Sequence, residues 1–281
     1  MVAAVVVLYN PDENLIKNIS SYIDCIEKVY VIDNSDSSNA SLFREVVFKD
    51  KIEYVFNNGN LGIAKALNIG CELAVQQGME WSLTMDQDSN FINLNDAIIS
   101  QIYKTANSTI GLYYPSYIIE GEMYDKYIKE NNEPIVVMTS GNILNLKVYE
   151  EVGGFEDQLF IDYVDIDYCL KLKKQGYKIA NLPGANLNHE LGQSEYKSFF
   201  YFNGIVTNHS SLRRYYITRN RLYVRKKYRY ISSVFYKTEA KVFINDLLKI
   251  ILFENDKVAK FKSIIQGYCD YRNNKFGIYS K

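Results

Sequence analysis

Val2-Ala3-Ala4-Val5-Val6-Val7-Leu8 is an unbroken apolar, β-branched run. A strand reads this way when both of its faces are buried. Asn10-Pro11 breaks the run, and Glu13–Ile26 follows with Leu15, Ile16, Ile19 and Ile23 at helical spacing. Lys28–Ile32 reads as a second strand, ending at the polar turn Asp33-Asn34-Ser35-Asp36. Ile52–Phe56 is a third, followed by Asn57-Asn58-Gly59-Asn60-Leu61-Gly62 and a helix over Ile63–Gln77. Trp81–Met85 is a fourth, closing at Asp86-Gln87-Asp88. Strands alternating with helices at this spacing predict a mainly parallel α/β sheet. The polar turns follow strand C-termini, where open α/β sheets bind ligands.

The middle of the chain is less regular. Ile110–Tyr117 and Ile135–Met138 read as strands around a loop rich in Glu and Lys, Gly141–Asn145 as a strand and Lys147–Val152 as a helix. After the sharp turn Gly153-Gly154-Phe155, the spacing predicts a helix over Asp165–Gln175 and a short strand over Lys178–Leu182, ended by Pro183-Gly184. Beyond Leu191 the composition turns helical, and Lys241–Phe253 is amphipathic.

At 281 residues, 47% apolar and 23% charged, the chain is long enough for one large domain or one domain with an appendage, and disorder is excluded. Cys25, Cys71, Cys169 and Cys269 form no CxxC pair, which argues against a disulfide scaffold or thiolate zinc site and fits a reduced cytosol. No apolar run reaches the ~18 residues of a membrane-spanning helix, and Val2–Leu8 reads as a strand, not a signal peptide. The net charge of −1 hides a split: −13 over residues 1–190 and +12 over residues 191–281. Nine basic residues and no acid lie between Arg213 and Lys237, interleaved with aromatics. Such a run either attracts an anionic partner or balances the acidic half of the same molecule.

Four stretches carry candidate chemistry. Asp86 and Asp88, two residues apart at a strand end, can hold a hard divalent cation and through it a diphosphate, or form a solvated turn. Asp162, Asp165 and Asp167 crowd a loop-to-helix junction, where an acid can either cap the helix or, against an apolar wall, serve as a general base. His189 follows an apolar strand and can complete a metal site with Asp88 or make a structural hydrogen bond. Gly59 and Gly62 precede a helix N-terminus, a setting that admits a ligand closely and favours an anion. Neither GxGxxG nor a P-loop is present.

Taken together, VVVLYNP (Val5–Pro11), VIDNS (Val31–Ser35), NNGNLGIAKALNIG (Asn57–Gly70), MDQDS (Met85–Ser89), GGFEDQLFIDYVDIDYCL (Gly153–Leu170), NHELG (Asn188–Gly192) and RYYITRNRL (Arg214–Leu222) resemble the family-2 glycosyltransferases of GT-A fold. Within that family the pattern is most similar to bacterial rhamnosyltransferases that use dTDP-L-rhamnose. The resemblance implies an α/β fold with a mixed, mainly parallel sheet. Residues 1–195 would form the catalytic domain, with 1–90 its nucleotide-sugar half and 91–195 its acceptor half. Residues 196–281 would form a helical, basic and aromatic extension.

The resemblance also implies roles. Tyr9, Asn10, Asp33, Asn58, Asn60, Gly62, Lys65 and Asp86 match donor-binding positions, Asp88 and His189 metal ligands for Mg2+ or Mn2+, and Asp165 the base of an inverting transfer. Asp162 is the second choice for the base, and Asp167 orients or caps. Arg214, Arg219 and Arg221 are expected to face donor or acceptor phosphates. The implied partners are a nucleotide-sugar donor and a saccharide acceptor carried on polyprenyl diphosphate, at the cytoplasmic face of the inner membrane, in bacterial surface polysaccharide (O-antigen) synthesis. No nucleic acid is expected. Two alternatives stay open: another donor such as a UDP- or GDP-sugar, and a nucleotide-sugar-binding protein that is not a transferase.

Overall fold

The computed structural model describes residues 1–105, 109–124, 127–131, 133–189, 195–199 and 202–280. In chain order its elements are β1 (Val2–Leu8), α1 (Leu15–Ser20), β2 (Lys28–Asp33), β3 (Ile52–Phe56), α2 (Ile63–Gln76), β4 (Trp81–Asp86), β5 (Asn90–Phe91), α3 (Asp96–Thr105), β6 (Ile110–Ile119), β7 (Glu122–Met123), β8 (Lys129–Glu130), β9 (Glu133–Pro134), β10 (Asn142–Asn145), α4 (Leu146–Val152), α5 (Val164–Lys174), β11 (Lys178–Asn188), β12 (Glu195–Phe199), β13 (Phe202–Val206), α6 (Ser211–Lys227), α7 (Ser233–Leu252) and α8 (Lys257–Arg272).

The main sheet has the order β3-β2-β1-β4-β10-β6-β11-β5, with β7 on β6. β1 pairs in parallel with β2 and β4, in register Leu8↔Asp33 and Val7↔Asp86. All of its residues are buried, which is why the run is apolar on both faces. β10 runs antiparallel to β4 and β6, and β11 runs parallel to β6, so the sheet is mixed. One face is covered by α2, α4 and α5 through Leu67, Tyr149 and Leu170, and Val224 of α6 and Phe235 of α7 belong to the same core. The opposite face is covered by α1 and α3 through Leu15, Ile19, Ile98 and Ile102. Gly70 lets α2 close onto β1, because a Cβ there would meet Val5 Cγ1 at 2.4 Å.

Four of the sequence expectations are not met. The first helix is short, and Cys25 belongs to a separate 3-10 turn, Ile23–Cys25. At its end the hydroxyls of Ser20 and Ser21 donate to Ile16 O and Asn18 O, bonds that compete with helix continuation. Ile135–Met138 is not a strand; Ile135 and Val137 reach the core from an irregular segment. Pro183-Gly184 does not end β11, because a register shift between Asn181 and Asn186 absorbs the pair. The hairpin β12–β13 precedes the C-terminal helices, where only helix was expected. No helix among the described residues is long and apolar enough to cross a membrane.

Candidate active site

The parallel register carries the ends of β1, β2 and β4 to one edge of the sheet. There the middle residue of the Asp86-Gln87-Asp88 triplet acts as a brace. The Gln87 side chain accepts from Tyr9 N at 2.8 Å and donates to Tyr9 O at 3.2 Å, while its carbonyl accepts from Asn18 Nδ2 at 2.9 Å. Asp86 N donates to Ser140 Oγ at 3.1 Å. His189 arrives at the end of β11, and its Nδ1 shares a 2.8 Å hydrogen bond with Ser89 Oγ that orients the ring. One ligand atom from each of Asp86, Asp88 and His189 lies within 4.8 Å of the others. Burial, and then the Asp88 charge, pushes the Asp86 carboxyl up to about 7. Two crowded carboxylates with an imidazole make a donor set that suits a hard or borderline divalent cation.

Asp165 lies in the first turn of α5, half-buried, its Oδ1 accepting from Ile166 N at 2.8 Å. Burial pushes it up to about 6; the charges of Asp162 and Asp86 add to the rise, and the Ile166 N–H opposes it. Asp162 is paired with Arg213, Nη2 to Oδ1 at 3.0 Å, yet burial still raises its carboxyl. Asp162, Asp165 and His189 line a cleft of about 600 Å³. An adjoining cleft of about 530 Å³ is walled by Tyr9, Asn34, Asn60, Gly62 and Asp88. Asp86 lines both.

The segment before α5 is strained. Phe160, Asp162 and Tyr163 have φ of 64°, 61° and 69°, three non-glycine residues in the left-handed region within four positions. Two side chains of α6 hold it. Arg219 donates to the carbonyls of Leu159 (3.2 Å), Gln158 (3.3 Å) and Gly277 (2.8 Å). Asn220 Nδ2 donates to those of Leu159 (2.7 Å), Ile161 (2.7 Å) and Asp162 (3.0 Å). From the other side, Phe160 O accepts from Ile63 N at 2.7 Å, the first N–H of α2. Gly62 is required at this contact, since a Cβ would lie 2.6 Å from Phe160 O.

Of the residues singled out in the sequence, Tyr9, Asn60, Gly62, Asp86, Asp88, Asp165 and His189 are brought to the two clefts. Others are not. Asp33 is fully buried and lines neither cleft. Burial would raise its carboxyl, but hydrogen bonds from Ser35, Tyr54 and Asn39 outweigh that and hold it low. Its neighbour Asn34 lines the cleft and braces Gly62 O at 3.1 Å and Asn57 Nδ2 at 2.8 Å. Asn10 is exposed, its N–H donated to Ser35 Oγ; Asn58 is an exposed turn residue at φ 54°. Lys65 pairs with Asp157 at 3.2 Å.

Arg219 is corrected outright. It is wholly buried against Tyr215, Tyr216 and Phe276 and lines neither of the two clefts, because its guanidinium is consumed by backbone carbonyls. Arg214 and Arg221 line the larger cleft but are committed, Arg214 to Glu254 and Arg221 to Asp246 (2.7 Å) and Glu239 (3.2 Å). Asp167 is buried and held by Lys227 at 2.8 Å, a tie between α5 and α6. The sequence reading missed Asn68, whose amide bonds Phe155 N and O, Asp157 and Tyr149 and pins the Gly153-Gly154-Phe155 turn to α2. The signal was a polar residue on the otherwise apolar buried face of a helix.

The family model for Glycosyl transferase family 2 matches residues 3–137. The dTDP-rhamnosyl transferase RfbF of Shigella flexneri is 30% identical over 242 residues, which span 80% of this chain and 79% of that one. The chain belongs to glycosyl transferase family 2. A second relative, the low-salt glycan biosynthesis hexosyltransferase Agl10 of Haloferax volcanii, is 23% identical over 221 residues, 70% of each chain. Among solved structures, GalNAc-T7 with UDP, GalNAc and Mn2+ superposes with a TM-score of 0.59 at 14% identity, over 80% of this chain and 47% of that one. S. aureus TarS 1-349 in complex with UDP-GlcNAc gives 0.56 at 13% identity, over 96% and 80%. At such identities the likeness is one of fold, the GT-A fold. This chain spans about half the length of the GalNAc-T7 structure it matches.

Proposed function

We propose that this family-2 transferase moves L-rhamnose from dTDP-L-rhamnose, with inversion and with a divalent cation, to a hydroxyl of a saccharide acceptor. The acceptor is carried on polyprenyl diphosphate at the cytoplasmic face of the inner membrane, in bacterial surface polysaccharide synthesis. The observation that carries the donor assignment is the 30% identity to a dTDP-rhamnosyl transferase along four-fifths of the chain. Residues 1–195 serve as the catalytic domain and 196–281 as its helical extension.

The two adjoining clefts supply the division of labour. The smaller takes the nucleotide sugar: Tyr9 and Asn60 flank the base and ribose, and the diphosphate lies beside Gly62 and Ile63 at the start of α2. Asp33, buried beside Asn34, supports that wall from within, and Asn10, Asn58 and Lys65 complete the donor-binding set at the surface around it. Asp88 and His189, with Asp86 beside them, are the residues that would hold Mg2+ or Mn2+. A bound cation supplies charge neutralisation to the departing diphosphate. Asp165, on the larger cleft, takes the proton of the acceptor hydroxyl as that oxygen attacks the face of the sugar opposite the nucleotide. A carboxyl raised to about 6 is a stronger base than an ordinary aspartate and is still ionised at neutral pH. Asp162 holds Arg213 at the rim common to both clefts.

Isothermal titration with dTDP, UDP and GDP, each with and without Mg2+ or Mn2+, tests the reading. Metal-dependent preference for dTDP is expected. Preference for UDP or GDP keeps the transferase and discards rhamnose. That second reading draws on the hexosyltransferase relative and on the UDP-sugar complexes among the structural neighbours. Binding of none of the three overturns the donor site.

A further inference from the structure

Most of the basic run of α6 is spent inside the molecule; Arg213 is exposed but paired with Asp162, and Lys226 is exposed. Arg214, Arg219 and Arg221 are buried, and Lys227 is tied to Asp167 and Glu156. The next helix presents the opposite picture. On α7, Lys237, Lys241, Ile244, Leu248, Ile251 and Leu252 are all exposed. At 100° per residue they fall within an arc of about 100°, a stripe about 22 Å long. Ile244 is 58% exposed and Ile251 50%. Val258, at the start of α8, is 70% exposed between Lys257 and Lys262.

The acids of these helices point the other way. Glu239 and Asp246 bind Arg221, Glu254 binds Arg214 and Lys260, and Asp270 binds Tyr215. Only Asp256, in the turn between α7 and α8, is an exposed acid of this region. The outer stripe therefore combines aliphatic side chains with lysines and no carboxylate.

We infer that the outer face of α7 is a docking surface for an anionic lipid bilayer. Its charge selects that occupant. A second copy of the chain docking by the same face would bring lysines against lysines. An anionic membrane offers acyl chains for Ile244, Leu248 and Ile251 and a negative surface for Lys237 and Lys241. The inner face of the same helix supplies Glu239, Val242 and Asp246 to the larger cleft. One helix, about 10 Å thick, would separate lipid from the space where the acceptor hydroxyl is placed. The inference rests on the lipid-linked acceptor of the proposed function and specifies the surface that meets the lipid.

Flotation of the full chain with vesicles of phosphatidylglycerol and phosphatidylethanolamine, and with phosphatidylcholine alone, tests it at low salt. The wild-type protein is expected to float with the first and not the second. Ile244→Asn/Leu248→Asn/Ile251→Asn, and separately Lys237→Glu/Lys241→Glu, should each lower partitioning at least tenfold, with circular dichroism and dTDP titration unchanged. Failure of the wild type to float, or flotation of both variants like wild type, overturns the inference. So does a wild-type dimer in light scattering that the triple variant converts to monomer. Loss of dTDP binding in the wild type would instead sink the donor assignment and leave the flotation result standing.

Discussion

The carboxyl edge of the sheet and the helix α6 are both rich in charged and polar residues, and they use them in opposite ways. Asp86 and Asp88 at the sheet edge and Asp165 at the start of α5 beside it face open clefts, and burial and mutual repulsion raise Asp86 and Asp165 well above ordinary carboxylates. On α6, Arg219 and Asn220 are sealed from solvent and spend their donors on the backbone of residues 158–162. The first region carries unsatisfied charge toward a ligand. The second satisfies its own so that a strained loop stays in place. Polar residues of a binding wall and of a clamp look alike along a sequence; what separates them is whether the fold has already given them partners.

The largest expected effect lies on the sheet side. Asp88→Asn should weaken metal-dependent dTDP binding by several kcal/mol, about 10³-fold, with thermal stability within ~0.5 kcal/mol of wild type. Titration with and without Mg2+ beside a melting curve separates the two. Arg219→Leu should do the reverse. Removing a buried guanidinium that serves three carbonyls should destabilise the fold by about 3–5 kcal/mol, read as a fall in the denaturation midpoint. If Arg219→Leu were as stable as wild type, the clamp would not hold the loop.

A smaller effect comes from pH. The Asp165 carboxyl is raised in the fold to about 6, so its ionisation weakens the fold. The stabilising contribution is complete below the ordinary carboxylate value near 4 and is lost as pH rises through about 6. Asp165→Asn removes that loss. Discounted for the partial exposure of the group to about 1 kcal/mol, the variant should gain roughly 2 °C over wild type between pH 4 and pH 8. An equal pH slope in the two proteins would contradict the shift.

Much of the parallel half was legible in the sequence, because its determinants are local. The runs Val2–Leu8 and Ile52–Phe56 are strands at the bounds their pattern gives, and Asp86-Gln87-Asp88 follows β4 as expected. Pro183-Gly184 misled because a bulge depends on the neighbouring strand, which the local pattern does not contain. Arg219 misled for the same reason at longer range. The carbonyls it serves, on Gln158 and Leu159, are some 60 residues earlier in the chain. Asp33 and Asn34 show the finer limit: the turn was legible, but which of two adjacent polar side chains faces the cleft is set by Tyr54 and Asn39, which occupy the Asp33 carboxylate.

In the proposed reaction Asp165 removes the acceptor proton while the carboxyl edge of the sheet holds the donor. The most direct measurement is release of dTDP from dTDP-L-rhamnose by wild type and Asp165→Asn, beside dTDP affinity for both. A drop of about 10²–10⁴-fold in turnover, with dTDP affinity unchanged, is expected. Turnover near the wild-type rate would contradict it.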